Sequence, residues 1–164
     1  MSKNIFVRTS APQRRVVVTG MGMMSPVGLN LSQSWNNLIQ GQSGIDTITA
    51  FDASQFDAKI AGEVKGFNPD DYIAKKEQKK MDRFIQFSLA ATKMALDHSQ
   101  LQIKEEEKNR IGVLIGVGMG GLGYIEAQHD ILRDRGPGRI SPFFIPAVIS
   151  NMAAGQVSMA HGLR

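Results

Sequence analysis

The sequence predicts an α/β fold of stacked helix and sheet layers, and three observations carry that prediction. Ile111–Gly123 (IGVLIGVGMGGLG) joins a run of β-branched and aliphatic residues to a glycine cluster and then to a helical pattern. Arg14–Gly28 (RRVVVTGMGMMSPVG) has the same form. Met81–His98 is a long helical pattern whose apolar residues cover most of its circumference. A strand followed by a glycine elbow and a helix is how α/β proteins expose a site at the carboxyl edge of a sheet. A helix that is apolar nearly all round is buried between layers rather than lying on one.

Each element has a local reason. Val16–Thr19 reads as a short strand ended by Gly20 and Gly22. Ser25, Pro26 and Gly28 mark a loop, after which Asn30 or Ser32 can cap a helix over about residues 33–40, stopped by Gly41. Trp35, Leu38 and Ile39 recur there at helical spacing. Residues 42–56 are polar and broken. Lys59–Val64 alternates weakly and reads as a strand, and Asn68-Pro69-Asp70-Asp71 as a turn or a helix start. After KKEQKK at 75–80 comes the long helix, with Phe84, Ile85, Phe87, Leu89, Ala90, Ala91, Met94, Ala95 and Leu96 as its apolar residues. Glu105–Lys108 is a charged turn.

The strand at Ile111, Val113, Leu114, Ile115 and Val117 suits cover on both faces. Its glycines permit a tight turn and close backbone approach. Tyr124–Asp134 follows as a helix, ended by Gly136 and Pro137. Ser141–Pro146 is expected as an extended apolar loop pinned by two prolines. A last helix is expected over about residues 147–161, where Ala153, Ala154, Gly155 and Ala160 allow close packing.

Composition narrows the function classes. The 164 residues hold 42% hydrophobic side chains, enough for a real core. The net charge of +4, from 19 basic and 15 acidic residues, is mild. With eleven aromatics and none in a basic run, a nucleic-acid partner is not expected. Cysteine is absent, which removes disulfides, thiolate metal sites and cysteine nucleophiles from these residues. His98, His129 and His161 are too widely spaced for a local metal motif and read as surface or helix-end residues, so no metal or cofactor is expected. No apolar run reaches membrane-spanning length. Residues 1–13 lack the long apolar core of a secretory signal and are expected to be a flexible leader before a domain at 14–164, with the protein cytoplasmic.

The glycine elbows admit three readings. A nucleotide site is the first. The phosphate-loop pattern is missing. Thr19-Gly20 resembles the opening of the short-chain dehydrogenases, and Tyr72 and Lys76 have that family's Tyr-x-x-x-Lys spacing. However, Pro26 stands where a cofactor-binding helix would begin, and the Tyr-Lys pair lies early in a polar segment rich in lysine. A purely structural role, permitting turns and close packing, is the second.

The third rests on a string of segments in one order: RRVVVTGMGMMSPVG, GQSGI, KKEQKKMDRFIQFSLAA, IGVLIGVGMGGLG, ISPFFIPAVISNMAAG and HGLR. This string resembles the N-terminal part of the elongating condensing enzymes, the 3-oxoacyl-[acyl carrier protein] synthases, and synthase II in particular, over residues 14–164. The resemblance implies a thiolase-like layered sandwich, of which this chain holds the incomplete N-terminal half, assembled as a homodimer. It implies transfer of an acyl group from acyl carrier protein to a cysteine at a helix N-terminus, where the dipole favours thiolate. Decarboxylation of malonyl-carrier protein then gives a carbanion that attacks the thioester, with two histidines and backbone amides assisting.

In that family the cysteine follows the HGLR-type segment, and the catalytic histidines and a lysine lie further on. The chain is therefore expected to hold no catalytic residue, and its three histidines match none of those positions. Ser141, Ser150 and Ser158 have no neighbouring base and are not expected to replace the cysteine. What the resemblance carries over is binding surface. Lys76, Lys79 and Lys80 match the basic cluster that meets acyl carrier protein, and Arg139 is a further candidate. Met119 matches the apolar residue that gates the acyl pocket, and Phe144 the residue that reaches the partner subunit's pocket. A non-catalytic module for dimerisation or carrier binding is the alternative from another class. A dinucleotide-binding reductase is a third.

Overall fold

A computed structural model describes residues 14–163, so the leader expected at 1–13 lies outside the described residues. Six helices and one two-stranded sheet follow in chain order. Helix α1 (Leu31–Ile39) starts where the sequence puts its cap: the Asn30 side chain accepts from the Gln33 backbone amide at 2.9 Å. Gln33 also accepts from Leu29 N at 2.9 Å, tying the residue before the cap to the first turn. Ser34 is fully buried against Gly28, whose carbonyl accepts its hydroxyl.

Strands β1 (Ile45–Thr47) and β2 (Ile60–Gly62) pair antiparallel, with Ile45 opposite Gly62. The loop after β1 is stapled by Glu63, whose carboxylate accepts from Thr49 N, Thr49 Oγ1 and Ala50 N at 2.7–3.1 Å. The Thr49 hydroxyl and the two amides hold that carboxyl below its ordinary range. Asn68 caps a single tight turn at Pro69–Asp71, as the Asn-Pro-Asp-Asp motif predicts.

Helix α2 (Lys75–Gln78) is one turn long and leads directly into α3 (Arg83–Ser99), capped by Asp82 and closed by Gln100 at φ 54°. The core gathers here. Ile73, Met81 and Ile85 are buried together, with Tyr72, Phe84, Leu89 and Met152 packed against them. Helix α4 (Leu122–Arg135) begins at Gly121 and stops at Gly136. Helix α5 (Phe144–Val148) and helix α6 (Met152–His161) complete the chain, and α6 lies along α3 with Ala153 and Val157 buried.

Four expectations need correction. Residues 16–19 and 111–117 have no hydrogen-bonded strand partner among the described residues, so neither forms a ladder. The second run keeps the alternation of a strand: Ile111, Val113, Ile115 and Val117 are half-buried, while Gly112, Leu114 and Gly116 are exposed. One face is covered rather than two, and Leu114 is 99% exposed. A strand is a paired structure, and its composition does not say which segment supplies the pair.

The long helix is likewise only partly enclosed. Ile85 and Ala90 are buried, whereas most of its remaining apolar residues are half-buried, because no second sheet covers them among the described residues. Residues 141–146 are not extended throughout, since α5 begins at Phe144. Pro146 falls in the first turn of that helix, where an amide has no intrahelical partner to lose. The final helix is correspondingly two helices, broken at residues 149–151.

Two glycines make a paired test of this packing. Gly121 has φ 64°, and a Cβ there would lie 2.7 Å from Val148 Cα. A Cβ on Gly123, inside α4, would meet nothing within 4 Å. Gly121→Ala is expected to destabilise the chain by at least about 2 kcal/mol. Gly123→Ala is expected to stabilise it by about 0.4–1 kcal/mol. Urea unfolding of the two variants beside the parent chain measures both.

Candidate functional site

Two kinds of surface meet near α2: a basic one built by its lysines and an apolar one built by residues 141–149. Lys76 and Lys79 are exposed, and no ion pair to either is formed among the described residues. Lys75 pairs with Asp70 at 3.2 Å. Lys80 pairs with Glu77 three residues before it at 2.8 Å, and its side chain is 36% exposed. That hydrogen bond, with the charges of Lys80 and Lys76, holds the Glu77 carboxyl below its ordinary range. The cluster's free positive charge is therefore carried by Lys76 and Lys79, with Lys80 partly neutralised.

Lys80 also reaches the apolar surface. Its Nζ lies 5.5 Å from the centre of the Phe143 ring, a cation–π distance. Phe143 and Phe144 stand at the start of α5, with Phe143, Ile145 and Ile149 exposed and Phe144 half-buried. Arg139 is exposed at the end of a single turn over Pro137–Arg139, four residues before Phe143. The fold thus brings Lys80, the last of the lysines, to the Phe143–Phe144 turn.

Met119 sits on the bend before α4 and is 75% exposed, so it stands on the surface instead of inside an enclosed cavity. The bend rests on α5. A Cβ on Gly120 would meet the Val148 carbonyl oxygen and the Phe84 ring, and one on Gly121 would overlap Val148 itself. Met119 and Phe144 are thereby placed on two segments in van der Waals contact through Gly121 and Val148.

A third set of residues was not visible to sequence reasoning. Gln128, 8% exposed, accepts from the Ser141 backbone amide through Oε1 at 2.7 Å. Tyr124 Oη and Ser141 Oγ share a hydrogen bond at 3.1 Å, and Ser141 Oγ accepts from Phe143 N at 3.1 Å. Ser141 is thus a structural hub of the turn. Two signals were available: the hydroxyl-to-i+2-amide turn that Ser-Pro favours, and the four-residue spacing that puts Tyr124 and Gln128 on one face of α4.

The three histidines stand where the sequence expects them. His98 lies in the last turn of α3 and His161 in that of α6, while His129 is exposed on α4 beside Asp130. His98 has a structural task as well, its Nδ1 accepting from Met21 N at 3.0 Å and so tying the first glycine segment to α3. Among the described residues no group of His, Cys, Asp or Glu is arranged to hold a metal ion, and no helix is long and apolar enough to cross a membrane.

Comparisons with known proteins give this arrangement a family. Residues 13–164 match the family described as "Beta-ketoacyl synthase, N-terminal domain". The chain is 53% identical over 152 residues to the 3-oxoacyl-[acyl-carrier-protein] synthase 2 of Vibrio harveyi, covering 93% of this chain and 37% of that protein. It is 46% identical over 151 residues to the synthase 2 of Staphylococcus aureus (strain COL), covering 92% of this chain and 36% of the relative. The chain therefore spans little more than a third of the length of these curated relatives.

Among solved structures, it superposes on the ishigamide ketosynthase/chain length factor with a TM-score of 0.76 at 27% identity, covering 93% of this chain and 38% of that one. It also superposes on a type II polyketide synthase acyl-carrier protein in complex with its ketosynthase bound to the hexaketide, with a TM-score of 0.74 at 28% identity, covering 90% and 40%. The fold is the N-terminal portion of a ketosynthase, which is thiolase-like.

Proposed function

This chain belongs to the beta-ketoacyl synthase family, and on that premise we propose that it forms the carrier-docking and acyl-pocket part of a 3-oxoacyl-[acyl-carrier-protein] synthase 2. The intact enzyme would move an acyl group from carrier protein to a cysteine thiol, decarboxylate malonyl-carrier protein and join the two fragments. The observation that carries this reading is the lysine cluster at 76–80, in which Lys76 and Lys79 are exposed and Lys80 reaches over the Phe143 ring of the apolar turn. A thioester substrate on an acidic carrier needs both: charge to orient the protein, and apolar surface to take the acyl chain.

The residues divide that work. Lys76 and Lys79 steer an acidic partner, and Lys80 contributes once it exchanges Glu77 for the partner's carboxylates. Arg139 extends the basic surface along the approach to the turn. Met119, unbranched and adaptable, is suited to moving aside for an acyl chain, and Phe144 to closing a pocket across a homodimer interface. The exposed Phe143, Ile145 and Ile149 support dimerisation, since a contiguous apolar face is a liability in a monomer. The reading includes a cytoplasmic enzyme.

No group in these 164 residues supplies the nucleophile. There is no cysteine, and Ser141, the serine nearest the apolar turn, is committed to Tyr124, Phe143 and Gln128. The alternative, a non-catalytic module that binds carrier protein or dimerises, draws on the same absence. Given acyl- and malonyl-carrier protein, the purified chain is expected to yield no 3-oxoacyl product by mass spectrometry. Turnover by the pure chain would contradict the assignment of catalysis to residues outside it.

Charge reversal separates docking from a merely solvated helix. Lys76→Glu with Lys79→Glu is expected to weaken carrier-protein binding by roughly tenfold at low salt. The effect should shrink as ionic strength rises. Lys80→Glu alone is expected to do less, because Glu77 already engages that charge. Unchanged affinity of the double variant at low salt, measured by titration calorimetry, would contradict the docking role.

A further inference from the structure

The turn that carries Phe144 is held from two sides, and the same turn seats Met119. On one side Gln128 Oε1 takes the Ser141 amide at 2.7 Å, and the Tyr124 hydroxyl meets Ser141 Oγ at 3.1 Å. On the other, Lys80 lies over the Phe143 ring. Between them Ser141 Oγ closes the turn onto Phe143 N, and the Phe144 amide donates to the Ser141 carbonyl at 3.0 Å, starting α5. Four residues on, Val148 receives Gly120 and Gly121, the glycines that follow Met119.

We propose that Tyr124 and Gln128 are specificity-determining positioning residues, which set the depth of the acyl pocket by fixing the height at which α5 presents Phe144 and supports the Met119 bend. The inference rests on the reading of Met119 and Phe144 as pocket residues. Its physical basis is the placement of the bonds. Gln128 is nearly buried and offers its carbonyl oxygen to one backbone amide, an arrangement that tolerates little displacement before that amide is left unpaired. Both side chains project from one face of α4, so the helix acts as a rigid ruler between the bend at its N-terminus and the turn at residue 141. Neither residue has to touch the acyl chain.

Loosening the bracket lets both walls give way, Met119 in this protomer's pocket and Phe144 where it closes the partner's, and this deepens the space open to an acyl chain. The consequence is selective: long acyl substrates gain relative to short ones, whereas a general loss of stability would lower both alike. Lys80 adds a link to the docking face, since an acidic partner that draws Lys80 away from Glu77 also draws it from the Phe143 ring.

The test uses the intact enzyme carrying this segment and acyl-carrier substrates of graded length. The readout is the ratio of kcat/KM for long over short chains. Tyr124→Phe and Gln128→Leu are each expected to raise that ratio by about fivefold, the effect of one lost hydrogen bond. Gln128→Glu keeps an acceptor oxygen for Ser141 N and is expected to preserve the parent ratio. If Gln128→Leu does not fold, Tyr124→Phe carries the test, because it removes one hydroxyl at a partly buried site. Parallel loss on all substrates, or an unchanged ratio in Tyr124→Phe while Phe144→Ala changes it, overturns the positioning role. An unchanged ratio in Phe144→Ala overturns the pocket reading itself, and the positioning role with it.

Discussion

The close approach of backbone to α3 is the constraint on which this structure depends. A Cβ on Gly20 would collide with the Ala95 carbonyl and with Ser99, and one on Gly22 with the Ala91 carbonyl and Met94. Gly120 makes the corresponding approach to the Phe84 ring at the other end of the helix. Small residues on both partners, glycine on the first segment and Ala91 and Ala95 on α3, let main chain lie against main chain. Met24 and Ile115 flank one groove with Phe87, Ala91 and Ala95, so both glycine-rich segments are laid along the same helix. The two strand–glycine motifs are alike in sequence but not in packing: Gly20 and Gly22 press on α3 backbone, whereas Gly116 and Gly118 have open space around them.

From that platform the site follows by short steps. Asp82 caps α3 immediately after the lysine turn of α2, so the basic cluster is fixed to the rigid end of the helix. Phe84, the second residue of α3, supports the bend that holds Met119. Helix α6 covers Ile85 and Ala90 from the other side, and α5, joined to it by three residues, brings the Phe143–Phe144 turn beneath Lys80. The basic cluster and the apolar turn are therefore neighbours through packing. The lysines need solvent and the phenylalanines need a cover, and one helix end supplies the border between the two.

Much of this was legible because it is local. Asn30, Gly136 and the 3.6-residue periodicity placed α1, α3 and α4 to within a few residues, since caps and amphipathic spacing act over one or two turns. Lys76, Lys79, Lys80, Arg139, Met119 and Phe144 came from resemblance, not from physics: a lysine run alone reads equally well as a solvated helix end. What could not be read was non-local. Strand pairing is a relation between distant segments, so the valines at 16–18 announce a strand without naming its neighbour. Gln128 and Ser141 are 13 residues apart and meet only because α4 folds back. Pro146 misled because its position within a turn, rather than its presence, decides whether a helix can include it.

The account's central claim is that α3 is the stable element and that residues 14–19 and 111–117 lie on it without ladder partners. Native-state hydrogen exchange of the purified chain, resolved by residue, tests this most directly. The account predicts that amides within residues 85–97 are the slowest to exchange, and that those of residues 16–19 and 112–117 exchange close to the rate of an unprotected chain. Slow exchange throughout 112–117, equal to that of α3, would mean those residues form a hydrogen-bonded sheet and would contradict it.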